Sequence, residues 1–218
     1  MKYPFFVCLF IFIICTYGHV QEIRNYRSIT GAGTSINTMV IQNTSYGFNV
    51  TYNQTSKIEL NDSYSTLVWH LCNKEVGTDI NFERVGDIII ISGKFENQVT
   101  AKQLRINNHP WYQAQELALE HFNAGSLRSM KYWVVKLDEM VAYEMEVSRM
   151  GDKKIEAYGL SFESSQLKVT LTGIRSLFWQ ANYWFRKSDG RYVRYESVEG
   201  GPGTPLTITE LTSLEVRQ

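Results

Sequence analysis

Apolar and polar residues alternate along most of this chain from residue 39 onward. In 46–52, Tyr46, Phe48, Val50 and Tyr52 take every second position, with polar or small residues between them. In 167–171, Leu167, Val169 and Leu171 alternate with Lys168 and Thr170. A period of two sends successive side chains to opposite faces of an extended backbone, so each run predicts a strand with one wet face. The same pattern predicts strands over 57–60, 64–72, 78–83, 98–106, 131–135, 141–150, 154–158, 180–186, 192–197 and 206–211. The four isoleucines of 88–91 predict a strand buried on both faces and central in its sheet. Turns are expected at Asn61-Asp62-Ser63, at 150–153, and at Asp189-Gly190, a dipeptide that hairpins favour.

One stretch, 110–124, departs from this pattern. Trp111, Ala114, Ala118 and Phe122 fall at i, i+3, i+7 and i+11, with Leu117 widening the stripe, which is helical spacing. Pro110 suits a first helical position, Asn107 or Asn108 a cap, and Gly125 a left-handed C-terminus. Gln113, Gln115, Glu116 and Glu120 are placed off the apolar stripe. A helix of about 15 residues is marginal alone, so the stripe must pack on the strands.

About a dozen short strands and one helix make a mainly β fold. Each parallel pair needs a crossover, and one helix supplies at most one, so the sheet is expected to be antiparallel. A sheet of that many strands must curl, close or split. The expected architecture is a strongly curved antiparallel sheet, a half-barrel or open barrel, wrapped on a single central helix. The alternative is a β-sandwich with one helix. Residues 19–38, polar and small with Gly31 and Gly33, read as a poorly ordered leader, and 39–218 as a single β-rich domain.

The N-terminus adds a compartment. Lys2 is followed by an unbroken apolar run of 11 residues over 5–15 and small residues near Gly18. That layout is a secretory signal peptide over 1–18, cleaved near Gly18, and it is too short to span a bilayer. The mature chain is therefore expected to be exported, periplasmic or extracellular, without a transmembrane segment. Cleavage there removes Cys8 and Cys15 and leaves Cys72 alone, so the domain relies on its core and not on disulfides. Cys72 reads as a buried thiol in a strand. Four Asn-x-Ser/Thr sequons at Asn43, Asn49, Asn53 and Asn61 lie in an Asn/Ser/Thr-rich region where chance matches are expected.

Composition narrows the chemistry. Lys and Arg total 22 against 22 Asp and Glu, so nothing favours nucleic acid by charge. His70, His109 and His121 lie in different elements without metal-ligand spacing, so no metal and no cofactor are expected. No nucleophile elbow or phosphate loop occurs, which argues against an enzyme. Glu144 and Glu146 share a strand face and read as solvated; as acid and base they give only a weak hydrolase alternative. What stands out is aromatic density, with Trp111, Tyr112, Tyr132, Trp133, Phe178, Trp179, Tyr183, Trp184 and Phe185 in the second half. Most are expected in the core, and the Leu177-Phe178-Trp179 stretch, if exposed, makes an apolar docking lip.

The order of features carries a resemblance. Tyr46-Gly47-Phe48 opens the β region, and Trp69 lies in a long strand. Pro110-Trp111-Tyr112-Gln113 introduces the helix, and Trp133 follows it. Tyr183-Trp184-Phe185-Arg186-Lys187-Ser188-Asp189-Gly190 precedes the terminal strand. Over roughly 45–212 this resembles a domain-of-unknown-function family of exported bacterial proteins. That family is distantly similar to the half-barrels of periplasmic lipoprotein carriers and capsule-export lipoproteins. The resemblance implies a curved antiparallel sheet and an envelope location, and no assigned activity. Unlike lipoprotein members, this chain has the large Ile14 before Cys15 and so no clear lipobox.

The functional expectation is a non-enzymatic envelope protein that holds a lipid or lipoprotein acyl chain between sheet and helix. Trp111, Trp133, Phe178, Trp179 and Tyr183 are the expected apolar contacts, with Arg175 and Arg186 at the rim for a phosphate or carboxylate. The alternative is a structural or assembly factor that docks an envelope protein partner in envelope or polysaccharide biogenesis.

Overall fold

The computed structural model describes residues 20–177, 179–198 and 204–217. The expected signal peptide and Phe178 lie outside the described residues. The first half of the chain is eight strands: β1 (Gln21–Thr30), β2 (Gly33–Thr44), β3 (Gly47–Tyr52), β4 (Ser56–Asn61), β5 (Thr66–Asn73), β6 (Thr78–Val85), β7 (Ile88–Phe95) and β8 (Gln98–Arg105). Helix α1 (Gln115–Ala124) follows, and then β9 (Ser129–Lys136), β10 (Val141–Ala157) and β11 (Leu160–Leu171). A short 3-10 turn (Gly173–Leu177) leads to β12 (Gln180–Arg186), β13 (Tyr192–Val198) and β14 (Leu206–Arg217).

All fourteen strands belong to one antiparallel sheet in the order β8-β7-β6-β5-β4-β3-β2-β1-β14-β13-β12-β11-β10-β9. Two meanders, one on each side of the helix in sequence, are joined where β1 pairs with β14. The sheet is open between β8 and β9, so it is a curled sheet and not a closed barrel. The edges still approach each other, with the Lys102 ammonium donating to the Met140 carbonyl at 2.8 Å. One hydrophobic cluster runs from Leu104 on β8 to Val135 on β9, with α1 inside it. Gly47 and Gly93 permit the tight strand contacts. At φ +139° and +133° they adopt backbone closed to other residues, and an added Cβ would lie 2.1 Å from the Leu60 carbonyl and 2.3 Å from that of Asp79.

The structure corrects several sequence expectations. Residues 20–38 are not a loose leader. Strand β1 pairs with β2 on one side and β14 on the other and forms the joint of the whole sheet. Its inward positions are Arg24 and Tyr26, both buried, so the apolar alternation that marks other strands is missing. The helix begins at Gln115, not Pro110, and has no side-chain cap. Residues 110–112 are extended, because two strands satisfy their backbone. Thr66 N–H donates to the Trp111 carbonyl at 2.7 Å, Tyr112 N–H to the Trp133 carbonyl at 2.9 Å, and Trp133 N–H to the Pro110 carbonyl at 2.8 Å.

Gly125 is not left-handed, at φ −78° and ψ −169°. The helix C-terminus is closed instead by Arg149, whose Nη2 reaches the carbonyls of Phe122, Asn123 and Gly125 at 2.6, 3.0 and 2.7 Å. A cation at the negative end of the helix also suits its dipole. Arg149 sits at a β-bulge in β10, so the turn expected at 150–153 is a bulged continuation of one 17-residue strand. The isoleucines of β7 alternate between buried and half-buried and lie next to the edge strand, not at the centre. Cys72 is half-buried, not buried.

Candidate ligand-binding site

Helix α1 is buried on more than its apolar stripe. Leu117, Ala118, Leu119 and Phe122 pack into the core, as periodicity requires. Its polar residues also face the sheet. Tyr132 hydroxyl donates to the Gln115 side-chain oxygen at 3.0 Å, and Tyr52 hydroxyl to the Glu116 carboxylate at 2.9 Å. Glu120 accepts from Arg24 Nη1 and Nη2 at 2.6 and 3.1 Å and from the Tyr192 backbone N–H at 2.7 Å. Arg24 is also paired with Glu22, and Arg191 reaches Glu22 at 2.9 Å and Glu120 at 3.6 Å. Burial opposes the Arg24 charge, but the neighbouring Tyr26, Glu120 and Glu22 outweigh it and hold the guanidinium firmly protonated.

A cavity of ≈ 760 Å³ is lined by strands of the sheet and by Gln113, two residues before α1; its volume is within the range of about 300–1,000 Å³ usual for small-molecule sites. Its walls are mainly apolar: Trp69 from β5, Val135 from β9, Met145 from β10, Leu171 from β11, Trp179 and Tyr195. Gln113, just before the helix, closes one side, and its side chain is fixed by Trp111 Nε1 at 3.1 Å and Val135 N at 3.2 Å. The rim is charged, with Lys136, Asp138, Glu139 and Arg175. Arg175 lies over the Tyr143 ring at 5.6 Å, and the Tyr143 hydroxyl donates to Glu139. Ile174 and Leu177, beside Arg175 on the 3-10 turn, are 79% and 80% exposed. A second space of ≈ 330 Å³ opens past Tyr195, lined by Tyr26, Tyr52, Tyr183, Tyr192, Gln115 and Glu116. Burial pushes the Glu116 carboxyl up, while the helix backbone, the Tyr52 hydroxyl and Arg24 pull it down less strongly. Burial likewise raises the phenols of Tyr52, Tyr183 and Tyr192 well above 10, so they are neutral donors and acceptors.

The residues singled out from sequence separate into three groups. Trp179 and Arg175 line the main cavity, and Tyr183 lines the tyrosine-walled space beside it. Trp133 lines a smaller cleft of ≈ 360 Å³ that shares Tyr143, Leu171 and Arg175 with the main cavity, with its indole N–H on Asn107. Trp111 and Arg186 are corrections. Trp111 is wholly buried in the core, because the extended backbone turns it between β5 and β9 and away from the cavity. Arg186 is held by Asp189 across its own hairpin and lies over the Phe162 ring at 5.5 Å. Glu144 accepts from His109 Nδ1 at 2.9 Å and Asn107 at 3.3 Å. Burial would raise its carboxyl, but the His109, Thr172 and Asn107 hydrogen bonds prevail and hold it low, which ill suits a proton-accepting base. Sequence reasoning missed Tyr26, Tyr52, Glu116, Tyr192 and Tyr195. The available signal was Glu116 and Glu120, one turn apart beside the apolar stripe, in a chain with 13 tyrosines.

No protein-family model and no curated protein matches this sequence. Among solved structures, the chain is similar to a beta-barrel-like protein of the domain of unknown function DUF1849 from Brucella abortus. The TM-score is 0.58 at 6% identity, with 92% of this chain and 98% of that chain covered. Lower overlap, at TM-score 0.37 and 10% identity over 88% of this chain and 83% of that one, is found with the hypothetical lipoprotein YmcC of Escherichia coli. A putative outer membrane lipoprotein-sorting protein domain from Vibrio parahaemolyticus overlaps at TM-score 0.32 and 10% identity, over 91% and 86% of the two chains. Among the described residues no helix is long and apolar enough to cross a membrane. The fold is thus that of the Brucella protein, an open antiparallel sheet curled about one helix, as the sequence resemblance implied.

Proposed function

We propose that this protein is a non-enzymatic envelope protein, exported by its N-terminal signal, that holds the apolar chain of a lipid or lipoprotein. The observation that carries this reading is the cavity of ≈ 760 Å³ walled by the curled sheet and by Gln113. A core built only for stability fills such space, because unfilled volume costs stability. Here Trp69, Met145, Leu171 and Trp179 form walls instead of meeting one another across it. Charged side chains at the mouth and apolar ones inside match an amphiphile that enters tail first.

The test is binding of a fluorescent acyl probe, with native mass spectrometry of the protein as purified. Leu171→Trp places a ring in the cavity and is expected to weaken probe binding at least about tenfold while the far-UV spectrum is kept. Undiminished binding by that variant, or no binding by the unmodified protein, sinks the proposal.

Exposed Ile174 and Leu177 beside the mouth favour a second reading, a protein partner docked at this lip. Capture of an envelope protein that persists in the Leu171→Trp variant supports docking independent of the cavity. Loss of capture in that variant argues against it.

A further inference from the structure

The space beyond Tyr195 differs from the apolar cavity in kind. Tyr195 lines both, so the two spaces are neighbours. Tyr26, Tyr192, Tyr183 and Tyr195 form a continuous run of rings, with successive centroids 5.3, 5.9 and 4.9 Å apart. Glu116 projects from α1 into the same chamber.

Two features there have no explanation in the fold. The first is charge. Arg24 and Arg191 are matched by Glu22 and Glu120. Glu116 makes no ion pair among the described residues; its side-chain partner is the neutral Tyr52 hydroxyl. A carboxylate partly withdrawn from water without a cation is costly, and such groups are ordinarily paired. The second is the Tyr26 hydroxyl. Tyr26 is 4% exposed and lines the chamber, and its oxygen makes no hydrogen bond of normal geometry, with the buried Arg24 guanidinium as its polar neighbour. Unpartnered buried polar atoms are rare in folded proteins, and an absent ligand is one explanation.

We propose that this chamber holds the ammonium headgroup of an amphiphile whose apolar chain lies in the larger cavity. The proposal rests on the carrier reading above and names the headgroup class. Tyrosine faces attract a cation, most strongly where water is excluded. The Glu116 carboxylate is the counter-charge, and an ammonium N–H also donates to the Tyr26 oxygen. An anionic headgroup meets Glu116 and no uncommitted cation, because Arg24 and Arg191 are already paired. A neutral hydroxyl leaves the carboxylate uncompensated.

Calorimetric titration at pH 7 with dodecylammonium, 1-dodecanol and dodecyl sulfate tests this on the unmodified protein, on Glu116→Gln and on Tyr26→Phe. Dodecylammonium is expected to bind at least about tenfold tighter than dodecanol, the worth of one charge-assisted hydrogen bond. Glu116→Gln removes that preference. Tyr26→Phe keeps the ring and lowers ammonium affinity about fivefold. If dodecanol binds but ammonium binds no better, or if the preference survives Glu116→Gln, the headgroup assignment is overturned and the carrier reading stands. Tighter binding of dodecyl sulfate overturns the assignment as well. If none of the three binds, the carrier reading itself fails.

Discussion

Replacing Glu120 by alanine asks whether α1 is held in the sheet by charge or by its apolar stripe alone. The Glu120 carboxylate takes two hydrogen bonds from Arg24, at 2.6 and 3.1 Å, and one from the Tyr192 backbone at 2.7 Å. The Arg24 side chain is 1% exposed, so water cannot replace what is removed. After the change the guanidinium keeps only Glu22, and the Tyr192 N–H loses its acceptor. Breaking a buried pair from one side costs about 3–5 kcal/mol, and an orphaned buried N–H about 1–3 kcal/mol. The two losses share one network and do not simply add, so about 4 kcal/mol is expected. That is a large part of the roughly 5–15 kcal/mol of a typical domain. Thermal melts followed by circular dichroism should show Tm lower by about 8–16 °C, and urea titration should show a lower midpoint. Glu120→Gln retains an acceptor for Tyr192 and should fall between. A loss below about 1 kcal/mol in Glu120→Ala, with an unchanged urea slope, would refute the reasoning and leave the stripe as the sole anchor.

Trp111→Ala should cost about 3–5 kcal/mol in urea unfolding, whereas Trp179→Ala should cost far less and chiefly weaken acyl-probe binding; equal stability losses would contradict the division into core and cavity wall. The Glu116 carboxyl gives a pH signature. Burial raises it above its ordinary 4.5 in the folded protein, so its contribution to stability is full below that value and is lost as pH rises through the raised one. Glu116→Gln removes this dependence, so the unmodified protein should lose stability relative to the variant as pH rises above 4.5. Parallel stability curves across that window would show that Glu116 is not buried as described.

The legible and illegible parts of this chain divide along physical lines. Strands such as β3, β11 and β12 were readable because one face is apolar and the other wet, and alternation is local. Strand β1 was unreadable because its inner face carries Arg24 and Tyr26, whose burial draws on partners 96 and 166 residues away, Glu120 and Tyr192. Residues 110–112 continue the helical spacing, yet their backbone is claimed by β5 and β9, which lie far off in sequence. The candidate site was half legible. Trp179 and Arg175 were found by aromatic density and charge near a loop, while Glu116 was only placed off the apolar stripe, because local pattern does not say what faces a helix's polar side.

Sequence alone determined the β class, the antiparallel sheet curled about a single helix, and the expectation of export, since these follow from period, strand count, helix count and a terminal apolar run. The tertiary structure decided the rest. It placed β1 at the joint of the sheet, left the seam between β8 and β9 open, and turned the helix so that both its apolar stripe and its carboxylates face inward. It also left a cavity walled by the sheet and Gln113. Those outcomes depend on contacts between distant residues and on how completely side chains fill a curved space, and neither quantity is written in any local stretch of the chain.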